Sequence, residues 1–302
     1  MNAVSSGPRR LDAFFYPAAP AERLAWLRVL VGAFAVVYLI ARFRDFAAGP
    51  NFSATSFAPV GPIQLLSAPL PPALVHAQTL LAIASGAAFV IGFRYRVMAP
   101  LFAVLLLWVT SYRSSWGMVF HTDNLLALHV LLLAAAPAAD ALAYDSRNRP
   151  ASADHGKYGW AIRALCVVTV ITYVLAGIAK LRISGSEWFS GDVLRAQIAY
   201  DNLRKIELGS VHSPLGAWLV KLPWVFPPLA VLTLLLELGA PLSLLTRKLG
   251  KVWVLGVLLF HWGVLALMAI AFPYPLTGIA YAAYFDVEKF RPLRHAARLL
   301  RR

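Results

Sequence analysis

Lys180 closes a membrane-length apolar run in the stretch YVLAGIAKLRISGSEWFSG, residues 173–191. A lysine at such a position has two readings. Its long stem can snorkel, so that the ammonium stays wet at the bilayer surface. Alternatively, it is held in apolar surroundings as a neutral amine and takes up a proton near neutral pH. Gly177 lies three residues earlier on the same helical face and leaves room there for a ligand or another helix.

Other polar side chains sit where lipid is expected, and each such residue is a candidate for function. His261 stands mid-run in LLFHWGVLAL. It is either a hydrogen-bonded core histidine or a contact for substrate or cofactor, since neutral imidazole both donates and accepts. Glu237, in LLLELGAPLSLL, must be protonated or paired. An Arg or His is the expected partner, and a kink at Pro241 would offer a freed backbone donor. WGMVFHTDN, 116–124, brings His121 and Asp123 to the same predicted side as Lys180. Both also suit a plain loop and helix start, with Asp123 as a cap. His129, two turns further in, faces the bundle if the helix is regular, and His76 opens an earlier run. No HExxH, P-loop, GxSxG or CxxC occurs, and no metal-ligand cluster is expected.

The elements that must position these residues are membrane helices. Of 302 residues 60% are hydrophobic and only 14% charged, with mean hydropathy +0.66. Soluble domains carry about 25% charged residues, so the expected class is an all-α polytopic transmembrane bundle. A bilayer core takes about 20 apolar residues per helix. About eight runs qualify: 24–42, 74–93, 97–112, 124–142, 160–180, 224–246, 251–270 and 272–286, the last kinked or re-entrant at Pro273 and Pro275.

The net charge of +14 does not point to nucleic acid. Most of the basic residues fall in short segments on one side: the N-terminus, FRYR at 93–96, 143–163, TRKLGK at 246–251 and the tail from Lys289. That is the positive-inside pattern and predicts both termini in the cytoplasm. The expected division is an N-terminal segment 1–22, a membrane domain 23–288 and a basic tail 289–302, FRPLRHAARLLRR at its core, touching anionic headgroups. The apolar run near the N-terminus is too long for a cleavable signal. The outer loop 181–223 is expected to hold an interfacial helix over 188–206. The single cysteine, Cys166, excludes an internal disulfide.

Four blocks in order carry a family resemblance: WGMVFHTDNLLALHVLLLAAAPAADALAYD at 116–145, AGIAKLRISGSEWFSG at 176–191, ELGAPLSLLTRKLGKVWVLGVLLFHW at 237–262 and AFPYPLTGIAYAAYF at 271–285. Over residues 22–290 the chain resembles the HTTM family, the membrane domain shared with vitamin K-dependent gamma-carboxylase and its bacterial relatives. The carrying features are A-G-x-x-K followed by W-x-x-G, then the F-H pair and F-x-Y. The resemblance implies chemistry with a reduced quinone of vitamin K or menaquinol type, dioxygen and carbon dioxide. In the carboxylase a lysine deprotonates the hydroquinone, the oxygenated quinone removes a glutamate γ-proton, and carbon dioxide adds to the carbanion. Quinone epoxide is the second product.

By position, Lys180 would be that lysine and His261 an active-site histidine. Gly177, Trp188, His121, Asp123, Glu237 and Tyr274 become candidates for quinone or substrate contact, with no metal. A bacterial cytoplasmic membrane with the active face outward is the implied location. Departures are visible: Thr122 stands where the carboxylase has a histidine, with His121 one position off, and Ala179 precedes Lys180. The chain also runs to Arg302 without the carboxylase's luminal region, so propeptide docking of that kind is not expected. Besides an enzyme, the sequence admits a non-redox membrane protein for maturation or export of a secreted peptide, or a small-solute carrier. No inverted repeat supports the carrier.

Overall fold

The computed structural model describes residues 10–148, 153–293 and 295. Every regular element among them is helical. Ten helices matter here: α1 (Arg10–Phe15), α2 (Ala21–Ala41), α3 (Pro72–Ile91), α4 (Tyr95–Arg113), α5 (His121–Ala135), α6 (Gly156–Ser184), α7 (Asp192–Glu207), α8 (Pro214–Leu219), α9 (Phe226–Leu238) and α10 (Arg247–Met268). Among the described residues, five helical segments are long and apolar enough to cross a bilayer: Ala21–Ala41, Pro72–Ile91, Tyr95–Trp116, Gly156–Ser190 and Arg247–Met268. His121–Ala135 and Pro223–Leu238 are apolar but shorter.

The chain divides into two compact units, Met1–Leu165 with Phe285–Arg302, and Cys166–Tyr284. In the first, α2 packs on α3 and α5, and α4 packs on the same two helices. Small residues allow the close approaches. A Cβ at Gly32 would meet Phe89 at 2.7 Å, and one at Gly86 would meet Phe102 and Val36 at 2.8 Å. Local signals set the ends. Pro72 starts α3, Gly92 closes it in the left-handed region (φ 66°), and Asp145 accepts from the Arg94 and Tyr95 amides to cap α4. Arg28 is fully buried, yet it donates to the carbonyls of Ala138 (2.7 Å) and Leu142. Arg23 clamps Glu288 with two bonds, 3.0 and 2.8 Å, and also pairs with Asp286. That pairing holds the end of the described chain against α2.

In the second unit α9 packs on α7 and α10, and α10 packs on α8. The carbonyls at the end of α10 are satisfied by side chains: Asn202 donates to Leu267 (2.9 Å) and Ser213 to Ala266 (2.5 Å). A helix stands in the range expected for an interfacial one, 188–206: α7 begins four residues later, at Asp192.

Three predicted spans look different in the structure. The run 124–142 is helical only to Ala135, since Ala136 turns extended and Pro137 follows. The run 224–246 is helical only to Leu238, then tightens into a 3-10 turn over Ala240–Leu244 that carries Pro241. Pro241 therefore ends the regular helix rather than kinking it. The run 272–286 is a short helix, Pro273–Leu276, followed by a 3-10 turn, Ile279–Tyr284, instead of one continuous helix. The expected headgroup-binding tail lies largely outside the described residues, as do Arg9 and Arg149 of the predicted inner segments.

Large apolar side chains stand open on both units. Leu80, Leu81, Val97, Val104, Leu255 and Leu259 each leave more than half of their surface open. Such faces are a liability in water and ordinary in lipid.

Candidate functional site

Tyr173, Gly177 and Lys180 are spaced four and three apart, so they line one face of α6 in the second unit. Lys180 Nζ pairs with the Oε1 atom of Glu237, on α9. The two ends of the pair differ in exposure: the lysine side chain is 23% exposed and the carboxylate 4%. Trp188 presents its ring 5.4 Å from Nζ. Gly177 makes this pairing possible, because a Cβ there would meet Leu238 at 2.8 Å and Glu237 Cβ at 3.1 Å. The room beside Gly177 is thus filled by another helix. The partner expected for Glu237 from sequence was an Arg or His, and the structure supplies Lys180. Glu237 Oε2 is buried and meets no hydrogen-bond partner among the described residues, which is an unusual state for a carboxylate oxygen.

The W-x-x-G turn holds this corner. The Trp188 indole donates to the Ala230 carbonyl (3.1 Å), and its ring packs with Leu234, Leu181 and Leu194. Gly191 adopts φ 79°, and a Cβ there would run into the backbone of Phe226 and Pro227. Gly191→Ala therefore combines an unfavourable backbone region with a clash against main chain that cannot step aside. It should cost about 2 kcal/mol or more, read as a lower thermal midpoint in detergent. An unchanged midpoint would mean the turn does not hold α9 in place.

Seven residues before Lys180, Tyr173 gathers a second group, about 10 Å away along the helix axis. Its hydroxyl bonds His261 Nε2 at 2.7 Å and the Tyr281 hydroxyl at 2.5 Å. Trp253 meets the Tyr173 ring edge-on at 5.1 Å, and Phe272 lies 5.2 Å from the His261 ring. Tyr274 is fully buried on the short helix Pro273–Leu276. Six of the eight residues singled out in sequence, Gly177, Lys180, Trp188, Glu237, His261 and Tyr274, thus belong to the second unit. Lys180 and His261 are both tied to the same face of α6. The arrangement offers an amine, a carboxylate, an imidazole and phenols, groups that exchange protons rather than bind metal. Among the described residues no three His, Cys, Asp or Glu side chains gather as metal ligands.

The other two, His121 and Asp123, belong to the first unit. His121 is exposed at the start of α5, while Thr122 turns inward and is 4% exposed. Asp123 is not the cap expected from sequence. It is buried, accepting from the Tyr38 hydroxyl (2.8 Å) and from Arg113 (3.0 Å). His129 is buried further along α5.

Sequence reading passed over Tyr173 and Arg113. A phenol seven residues from Lys180 in an apolar run was a usable signal. Arg113, at the end of a span, resembles any interfacial anchor until its partners are seen.

No curated protein and no solved structure matches the chain. The family model for the HTTM domain matches residues 16–287. That covers Lys180 with its partner and the W-x-x-G turn, along with the His261 network. The chain therefore belongs to the HTTM family, the family of the vitamin K-dependent carboxylase membrane domain.

Proposed function

We propose that this chain is a membrane enzyme that uses a reduced quinone, dioxygen and carbon dioxide, with Lys180 as the base. The observation that carries the reading is the pairing of Lys180 with Glu237 inside an otherwise apolar environment. A proton shared by Nζ and Oε1 has two positions. On Nζ it gives an ion pair. On Glu237 it leaves a neutral amine at the more exposed end, able to take a proton from a bound hydroxyl. The pair is neutral overall in both states, which lowers the cost of keeping it in a region of low dielectric.

The residues suit a quinol. Lys180 Nζ, at the more exposed end of the pair, would meet a quinol hydroxyl, with the buried Trp188 ring beneath it and the buried Glu237 carboxylate behind it. His261, with Tyr173 and Tyr281, forms a second polar point on the same helix face. When bound, the quinol would supply the reducing equivalents and, with dioxygen, the strong base that carboxylation of a carbon acid requires. The chain's own residues hold and move protons at Nζ, Oε1 and Nε2.

The orientation belongs to this proposal. Both termini face the cytoplasm. Eight crossings comprise the five long helical segments, the two shorter apolar helices and the broken segment 272–286. Lys180 then opens to the outer face of a bacterial cytoplasmic membrane, where a small or peptide substrate arrives.

The test is turnover by the purified chain in nanodiscs supplied with a short-chain menaquinol. Oxygen uptake that requires the quinol, with quinone epoxide among the products, is expected. No uptake above protein-free nanodiscs would remove the redox reading and leave a role in peptide maturation or export.

A further inference from the structure

We propose that the first unit carries a separate binding site for an anionic amphiphile: an oxyanion head, carboxylate or phosphate, joined to an apolar chain. The site is a cavity of about 280 Å³ between the end of α2 and the turn after α4, walled by Arg42, Phe52, Arg113, Trp116, Met118 and Phe120. It shares no residue with the Lys180 group.

The cavity combines hydrogen-bond donors lacking acceptors with aromatic walls. Arg113 is nearly enclosed, with a side chain 7% exposed. Its Nη1 donates to the Tyr38 hydroxyl (2.9 Å) and to Asp123 (3.0 Å). Its guanidinium lies 3.8 Å over the Phe120 ring, which fixes the plane of the fork. Among the described residues no acceptor meets its Nε or Nη2. Arg42 spends its Nε on Asp45 (2.5 Å), another lining residue, and is half exposed. Trp116 lines the cavity, and its indole N–H is buried and meets no acceptor among the described residues. Asp45 and Asp123 already offset the two guanidinium charges, so N–H groups needing oxygen atoms define this site more than net charge does. A planar guanidinium fork of this kind matches carboxylate and phosphate oxygens.

The remaining walls are Phe52, Trp116, Phe120 and Met118. Phe52 and Met118 are more than half exposed and form the rim. The volume falls short of that of most small-molecule pockets, about 300–1,000 Å³. It suits a head and its first methylenes, with the chain leaving over the rim. Arg42 directly follows α2 and Arg113 ends α4. Both helices are long enough to span, so the site lies at the depth of lipid headgroups.

Native mass spectrometry of the full chain, released from mixed phosphatidylglycerol and phosphatidylcholine nanodiscs, tests this. One phosphatidylglycerol should be retained in preference to phosphatidylcholine. Arg42→Gln and Trp116→Phe should each weaken retention about tenfold while leaving the circular dichroism unchanged. Decanoate should displace the lipid, and inorganic phosphate at the same concentration should not. Decanoate binding without phosphatidylglycerol retention would also support the site and make the natural occupant a free acid. Equal retention of the two lipids without decanoate binding, or retention unchanged in both variants, would overturn the proposal. Equal displacement by inorganic phosphate would overturn the amphiphile assignment, since the site would then read a bare anion.

Discussion

Lys180→Ala will lower quinol-dependent oxygen uptake by at least about 100-fold, the lower end of what a positioned acid–base group contributes. The substitution removes Nζ and leaves Gly177, Trp188 and the W-x-x-G turn in place. It also strands Glu237, which is 3% exposed, so some loss of stability will accompany the loss of rate. The two effects separate in the double variant Lys180→Ala/Glu237→Leu. With both charges gone, an apolar pair of side chains should regain most of the stability, because replacing a whole buried ion pair is often neutral. Turnover should remain lost. If the double variant regains turnover along with stability, the pair is structural only. Thermal unfolding and oxygen uptake on the same preparations provide the comparison.

Arg113→Met will destabilise the first unit by about 3–5 kcal/mol, the usual cost of removing one partner of a buried ion pair. Asp123 is 1% exposed and Tyr38 7% exposed. Both lose the guanidinium that joins α4 to α5 and α2 at this point. Arg113→Met/Asp123→Asn should recover most of the loss, because the neutral amide still accepts from Tyr38 and no longer needs a counter-charge. A single variant with the wild-type thermal midpoint would show that the triad is too well hydrated to matter. Quinol turnover after correction for folded protein should stay within about twofold of wild type, as expected for a site apart from Lys180.

The long helices were legible because nothing interrupts their apolar runs. Ala21–Ala41, Pro72–Ile91 and Arg247–Met268 lie close to the predicted 24–42, 74–93 and 251–270, with Pro, Gly and Thr246 marking their ends. The runs 124–142, 224–246 and 272–286 were read as longer helices than they are. Hydropathy does not register a break made by small apolar residues and proline, as after Ala135, at Gly239–Pro241 and at Pro273–Pro275.

The site was legible one residue at a time. Lys180, Glu237 and His261 stand out as ionisable groups in lipid-like surroundings, and each was named. Their pairing was not readable, because it depends on how far α9 slides along α6, and that register is set by Gly177 and by Gly191 against Phe226. Asp123 looked like a cap because it stands in a first turn, yet the same spacing from Arg113 also suits a buried pair. Only packing chooses between them.

The central claim is that Lys180 gives up its proton, and Lys180→Arg tests it most directly. Arginine keeps the charge, the reach to Glu237 and the contact with Trp188, but its guanidinium does not deprotonate in proteins. If Lys180 is a base, purified Lys180→Arg in nanodiscs should fold with the wild-type thermal midpoint and show quinol-dependent oxygen uptake at least about 100-fold below wild type. Uptake at the wild-type rate would contradict the account and return Lys180 to the role of an ion-paired anchor.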